Sequence, residues 1–78
     1  MLMFSKKELT RLRNRAQNDM AQIQGKIDAI CGPKFDDEGF QTIEYTPSEV
    51  VTLQKLYDAM DARYESYESA QTLLVKYY

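Results

Sequence analysis

The 78-residue sequence has few of the side chains on which the chemistry of small proteins usually depends. It contains no histidine and no tryptophan, and it has one cysteine, three glycines and two prolines. A single cysteine excludes a disulfide within the chain, and without histidine it excludes a standard zinc site. We therefore expect no metal and no cofactor. Stability must then come from helix packing, self-association or docking on another protein.

The same absences argue against catalysis. A nucleophile–base pair needs a group that titrates near neutral pH, and Cys31 has no evident activator in the sequence. Asp36, Asp37 and Glu38 lack the alternating spacing of an EF-hand loop and are interpreted as a solvated turn. No glycine-rich phosphate loop occurs. The sequence predicts that the chain is not an enzyme.

Long hydrophobic runs are also absent. Residues 1–4 are apolar, but Lys6 and Lys7 follow at once, so the pattern of a signal peptide is not met. No stretch is long enough to span a bilayer. These features predict a cytoplasmic protein that does not enter membranes.

The most informative feature that is present is a long heptad pattern. Thr46, Pro47 and Glu49 form a helix-start signal with a capping box. Apolar residues then follow at heptad spacing: Val50, Leu53, Tyr57, Met60, Tyr64, Tyr67, Leu74 and Tyr78. This predicts one amphipathic helix over residues 46–78 with these side chains as its buried seam. Tyr57 is central in the seam, so Tyr57→Ala is expected to cost about 3–5 kcal/mol.

An earlier helix is predicted over residues 6–31. Ser5 and Glu8 form a second capping box, and Phe4 and Leu9 stand at the positions of a hydrophobic staple. Gly25 leaves two alternatives open. The helix continues to Cys31 and stops at Gly32-Pro33, as the spacing of three isoleucines favours, or it ends near Gln24 and residues 27–31 form a strand. The isoleucines are Ile23, Ile27 and Ile30.

The connection over residues 32–45 is long for a helical hairpin. Residues 40–45 alternate in a way that allows a short β segment. We therefore predict a single all-α domain over residues 1–78, an antiparallel, coiled-coil-like two-helix hairpin whose connection has room for that β segment. The alternative is an α+β helix–β-hairpin–helix fold.

Charge is divided between the two halves of the chain. Residues 1–35 carry seven cations and three acids, whereas residues 36–78 carry three cations and nine acids. Counting from the connection places Cys31 opposite Thr46 and Arg13 near Tyr64. The basic half of the first helix then meets an acidic stripe on the second, which we define as Asp58, Asp61, Glu65 and Glu68. This internal pairing argues against direct nucleic-acid binding.

The same count leaves the end of the second helix overhanging the first. Leu73, Leu74, Val75, Tyr77 and Tyr78 are then either covered by residues 1–4 or exposed as a contact surface. Tyrosine is enriched at protein interfaces. The candidate interface residues are Phe35, Phe40, Tyr57, Met60, Tyr64, Tyr67, Leu74, Tyr77 and Tyr78.

The segment from Phe40 to Val50 (FQTIEYTPSEV) resembles the second strand and second-helix start of small phage head–tail joining proteins similar to the lambda W protein. The resemblance covers about residues 25–60. It implies a helix–β-hairpin–helix fold and a ring of copies in the virion neck, without catalysis. A longer first helix, the Gly32-Pro33 break and a longer second helix depart from that family's pattern.

The sequence thus predicts a non-enzymatic protein–protein interaction module that self-associates or docks on a larger protein. Its small size and lack of catalytic groups suit a phage accessory protein. One alternative is a structural connector of the phage virion, which would be virion-associated. Another is a small inhibitor that occludes a host nucleic-acid enzyme with the acidic stripe.

Overall fold

The computed structural model describes residues 4–78 as an antiparallel pair of helices. Helix α1 spans Lys6–Cys31, a 3₁₀ turn follows at Gly32–Lys34, and helix α2 spans Pro47–Tyr77. The two helices pack along their length in a body of 54 × 25 × 15 Å. The predicted all-α helical hairpin is confirmed.

Side-chain caps determine where both helices begin. The Ser5 hydroxyl accepts a hydrogen bond from the Glu8 amide at 3.1 Å, but within residues 4–78 the reciprocal bond from the Ser5 amide to the Glu8 side chain does not form, so the predicted capping box is only half made. At α2 both halves of the capping box form: the Thr46 hydroxyl accepts from the Glu49 amide at 3.2 Å, and Glu49 accepts from the Thr46 amide at 2.9 Å. These bonds satisfy amides that lack partners in the first helical turn.

Helix α1 continues through Gly25, so of the two alternatives the uninterrupted helix forms. The connection is ordered by Asp36, whose carboxylate accepts hydrogen bonds from the amides of Glu38 and Phe40 at 3.0 and 2.9 Å. Gly39 takes a φ of 88°, which favours glycine. Within residues 4–78 the β structure is one isolated bridge between Phe35 and Gln41, so the β-hairpin of the alternative fold does not form there.

The core lies between the helices and is made of small and aliphatic side chains. Leu9 is the most completely buried, at 1% exposure. Ala16 and Ile27 continue the buried face of α1, and Leu53, Ala70 and Leu74 supply that of α2. Alanines at two of these positions allow the helices to approach closely.

The register of the two helices differs from the prediction. Arg13 lies beside Gln71 rather than Tyr64, Asp19 pairs with Arg63, and Lys34 pairs with Glu49. The prediction set Cys31 opposite Thr46, whereas Lys34 at the end of the 3₁₀ turn pairs with Glu49. Each arm is therefore three residues longer at the reversal, and the two arms are displaced by about six residues, or about 9 Å.

The displacement removes most of the predicted overhang. The Tyr78 hydroxyl donates a hydrogen bond to the Phe4 carbonyl oxygen at 2.8 Å, so α2 ends level with the start of α1. Leu74 is buried and Leu73 is half-buried, whereas Val75, Tyr77 and Tyr78 stay exposed. The predicted cover from Met1, Leu2 and Met3 lies outside the described residues.

Candidate interaction surface

The apolar residues of α2 form two heptad series that lie in different environments. Leu53, Met60, Tyr67 and Leu74 face α1 and are buried or half-buried. The other series is about half exposed: Val50 51%, Tyr57 51%, Tyr64 53% and Tyr78 50%. We call this second series the tyrosine stripe. The apolar residues of α2 cover a wider part of its circumference than α1 can contact. The tyrosine stripe therefore remains on the surface.

The prediction of one buried seam is wrong for half of its residues, because Val50, Tyr57, Tyr64 and Tyr78 are about half exposed. Tyr57 is not a central residue of the buried seam, because half of its surface is exposed. Removing it leaves no enclosed cavity, so the cost predicted for a fully buried aromatic does not apply.

The remaining interface candidates fall into three environments. Phe35 and Phe40 are exposed in the connection, at the opposite end of the hairpin from Tyr77. Met60 and Tyr67 are half-buried, and Leu74 is part of the core. Val50 was not among the candidates, although its seven-residue spacing from Tyr57 identifies it as a member of the tyrosine stripe.

Two acids lie beside the tyrosine stripe. Asp61 and Glu68 stand four residues after Tyr57 and Tyr64, which places each on the same helical face as its tyrosine. The interaction of the Glu68 carboxylate with the Tyr64 hydroxyl raises the pKa of Tyr64. The surface is therefore aromatic with carboxylates between the rings.

The predicted pairing of the acidic stripe with the basic half of α1 is not observed. The salt bridges within residues 4–78 are Arg63 with Asp19 at 3.3 Å and Lys34 with Glu49 at 2.9 Å. None of the four residues of the acidic stripe takes part, and all four are exposed. The changed register explains this, because it moves the basic residues toward Tyr78 and away from the acidic stripe.

The register also separates charge along the molecule. One end, residues 4–18 and 66–78, carries six cations and two acids. The rest, residues 19–65, carries four cations and ten acids. We call these the basic end and the acidic part. The tyrosine stripe runs from one into the other.

Comparison with protein-family models, with curated proteins and with solved structures finds no match. The resemblance to head–tail joining proteins therefore remains a prediction.

Polar contacts at the end of the hairpin that carries the connection anchor the start of α2. A hydrogen bond with Cys31, together with burial, raises the pKa of Tyr45 to about 12. The Lys34 ammonium lies 5.8 Å from the centroid of the Tyr45 ring and also pairs with Glu49. The backbone hydrogen bond from Thr46, and then the contact with Lys34, lower the pKa of Glu49. These contacts position the connection.

Within residues 4–78, no group of three or more His, Cys, Asp or Glu side chains is arranged to hold a metal ion. Neither α1 nor α2 has the length and apolar character needed to cross a bilayer. The arrangement that the described residues do provide is an exposed aromatic and acidic helix face.

Proposed function

We propose that this chain is a non-enzymatic protein–protein interaction module that binds through the tyrosine stripe. The observation that carries the proposal is the half-exposure of Val50, Tyr57, Tyr64 and Tyr78 on one face of α2, although the hairpin already has a core on another. Tyrosine contributes strongly to interfaces because it combines a large apolar ring with a hydroxyl that stays hydrogen-bonded.

The apolar area of the tyrosine stripe is too small to hold a partner by itself. An aromatic side chain buries 150–250 Å², so covering the exposed halves of three tyrosines removes roughly 300 Å² from water. At about 25 cal/mol per Å², this gives about 7 kcal/mol before any cost of association. Association costs about 4–15 kcal/mol, so neighbouring charged and apolar groups must also contribute.

Site-specific photocrosslinking in the native cell tests the proposal. A photoreactive phenylalanine analogue replaces Tyr57 in one variant and Tyr64 in another. The matched control carries it at Asn18, which is exposed on the face of α1 turned away from the core. We expect protein adducts, with this chain or with another protein, from positions 57 and 64 but not from position 18. Equal yields at all three positions would contradict the proposal.

A second candidate function is supported by the exposure of the acidic stripe. Four carboxylates spaced along one helix can occupy a cationic channel that normally binds nucleic acid, so the chain would act as an inhibitor of such an enzyme. The double variant Asp61→Lys and Glu65→Lys is expected to abolish inhibition without unfolding the hairpin, as checked by circular dichroism. Inhibition that the double variant retains would exclude the acidic stripe as the inhibitory surface, and a parent that does not inhibit would exclude the function.

A further inference from the structure

We infer that the partner on the tyrosine stripe is a second copy of this chain, bound antiparallel about a two-fold axis between the two α2 helices. Tyr57 of one copy faces Tyr78 of the other, and Tyr64 faces Gln71. This inference rests on the proposed function, because it names the protein that the stripe binds.

The first argument is that the face is complementary to itself. A two-fold interface brings the same patch of both copies together in opposite directions, so one end of the patch must fit the other. Along the tyrosine stripe the acidic part holds Asp61, and the basic end holds Lys6 and Arg13. A reversed second copy sets each acidic part against a basic end.

The second argument is a groove that continues the tyrosine stripe at the basic end. It lies between the helices, has a volume of about 380 Å³ and contains Tyr78. The other lining residues are Lys6, Thr10, Arg13, Gln71, Leu74 and Val75. The apolar side chains of the groove can contact an aromatic ring. The lysine and arginine beside them can pair with a carboxylate one helical turn from that ring. Tyr57 with Asp61 has this form.

Charge also selects the stagger between the copies. If the axis passed through Tyr64, the helical segments that carry Asp58, Asp61, Glu65 and Glu68 would lie against each other, and like charges would repel. Moving the axis toward Tyr78, to between Tyr67 and Glu68, places Asp58 and Asp61 level with residues 74–77 at the basic end of the other copy, while Glu68 of each copy stays beside the axis.

The area that a stable interface needs exceeds what the tyrosines supply. The tyrosines alone contribute well under the ~800 Å² per partner of a standard interface. The groove and the terminal residue Val75, which is 75% exposed in the single chain, add to the area that the tyrosines supply. A foreign partner would need the same acidic-to-basic polarity over the same length, whereas a second copy already has it.

Two complementary charge reversals test the inference. Lys6→Glu and Asp61→Lys alter exposed residues, and glutamate near a helix N-terminus is favourable, so neither variant should unfold. In a dimer of either variant alone, two like-charged contacts replace two attractive ones. When the two variants are mixed, the heterodimer regains an attractive contact at both places.

The measurement is absolute mass by light scattering over a concentration range. We expect the parent to be a dimer, each variant alone to dissociate at least about tenfold more readily, and the equimolar mixture to return to dimer. Lys7→Glu is the matched control. It makes the same charge change one residue away, on the face of α1 that does not line the groove, and should dimerise like the parent.

The outcomes separate this inference from the proposed function. A parent that stays monomeric overturns the second copy as partner, while photocrosslinks from positions 57 and 64 to a different protein would still support an interaction module. A dimer that ignores both charge reversals overturns the stagger. A dimer unaffected by Tyr57→Ser with Tyr64→Ser shows that the tyrosine stripe is not the dimer contact and overturns this inference, and the proposed function fails as well if positions 57 and 64 also give no photocrosslinks.

Discussion

The two heptad series of α2 lie on two different faces of the same helix, one packed against α1 and the other unpacked. Leu53 and Leu74 are buried against α1, whereas Tyr57 and Tyr78 of the tyrosine stripe are half exposed. Both series have the same spacing, so periodicity alone does not distinguish them. The difference shows that a single helix can carry two apolar faces, one for folding and one available for binding.

The largest expected effect comes from the packed face. Leu53→Ala removes a buried side chain and leaves a cavity, which should lower the free energy of unfolding by about 2–5 kcal/mol. In a domain of this size that loss is close to the whole stability. Thermal and urea unfolding followed by circular dichroism measure it. A variant as stable as the parent would mean that α1 does not pack on this series.

The neighbouring substitution on the tyrosine stripe should have a much smaller effect on folding. Tyr57→Ala removes a side chain that is half exposed, so about 1 kcal/mol of stability is expected to be lost. The same unfolding experiments, at a concentration low enough to keep the chain monomeric, compare it with Leu53→Ala. Equal losses for the two variants would abolish the distinction between the faces.

A stabilising substitution makes this comparison easier to measure. Gly25 is helical, and an added Cβ would meet no atom within 4 Å. Gly25→Ala should therefore raise the free energy of unfolding by about 0.4–1 kcal/mol, because alanine loses less backbone freedom on folding. Urea unfolding of the parent and variant gives the difference. A destabilised variant would indicate that α1 is interrupted at this position.

The smallest expected effect is the pH dependence of stability that arises from Glu49 in the first turn of α2. The folded protein lowers the pKa of Glu49 below its usual value of 4.5. The resulting stabilisation is fully present above the usual pKa and is lost as pH falls through the lower folded pKa. Unfolding measured from pH 7 down to pH 3 should show this loss, and Glu49→Gln should reduce it. An unchanged acid dependence in the variant would assign the effect to other carboxylates.

Local features of the fold were predictable from sequence, because caps act within one turn. Ser5 and Thr46 identified the starts of both helices, and Gly32 followed by Pro33 identified the end of α1. The register was not predictable by counting, since the 3₁₀ turn and the Lys34–Glu49 pair set where the chain reverses. The sequence shows that both heptad series are apolar. Only the structure shows that α1 covers the series of Leu53 and Leu74 and leaves the tyrosine stripe exposed.

The separation of charge also has a consequence for how quickly the molecule meets a partner. With the basic end and the acidic part distributed along a body 54 Å long, the hairpin has an electric dipole along its axis. A dipole rotates an approaching charged molecule before contact and raises the productive fraction of collisions. Added salt shortens the reach of this field to about 8–10 Å near physiological ionic strength, so association should slow while dissociation changes little.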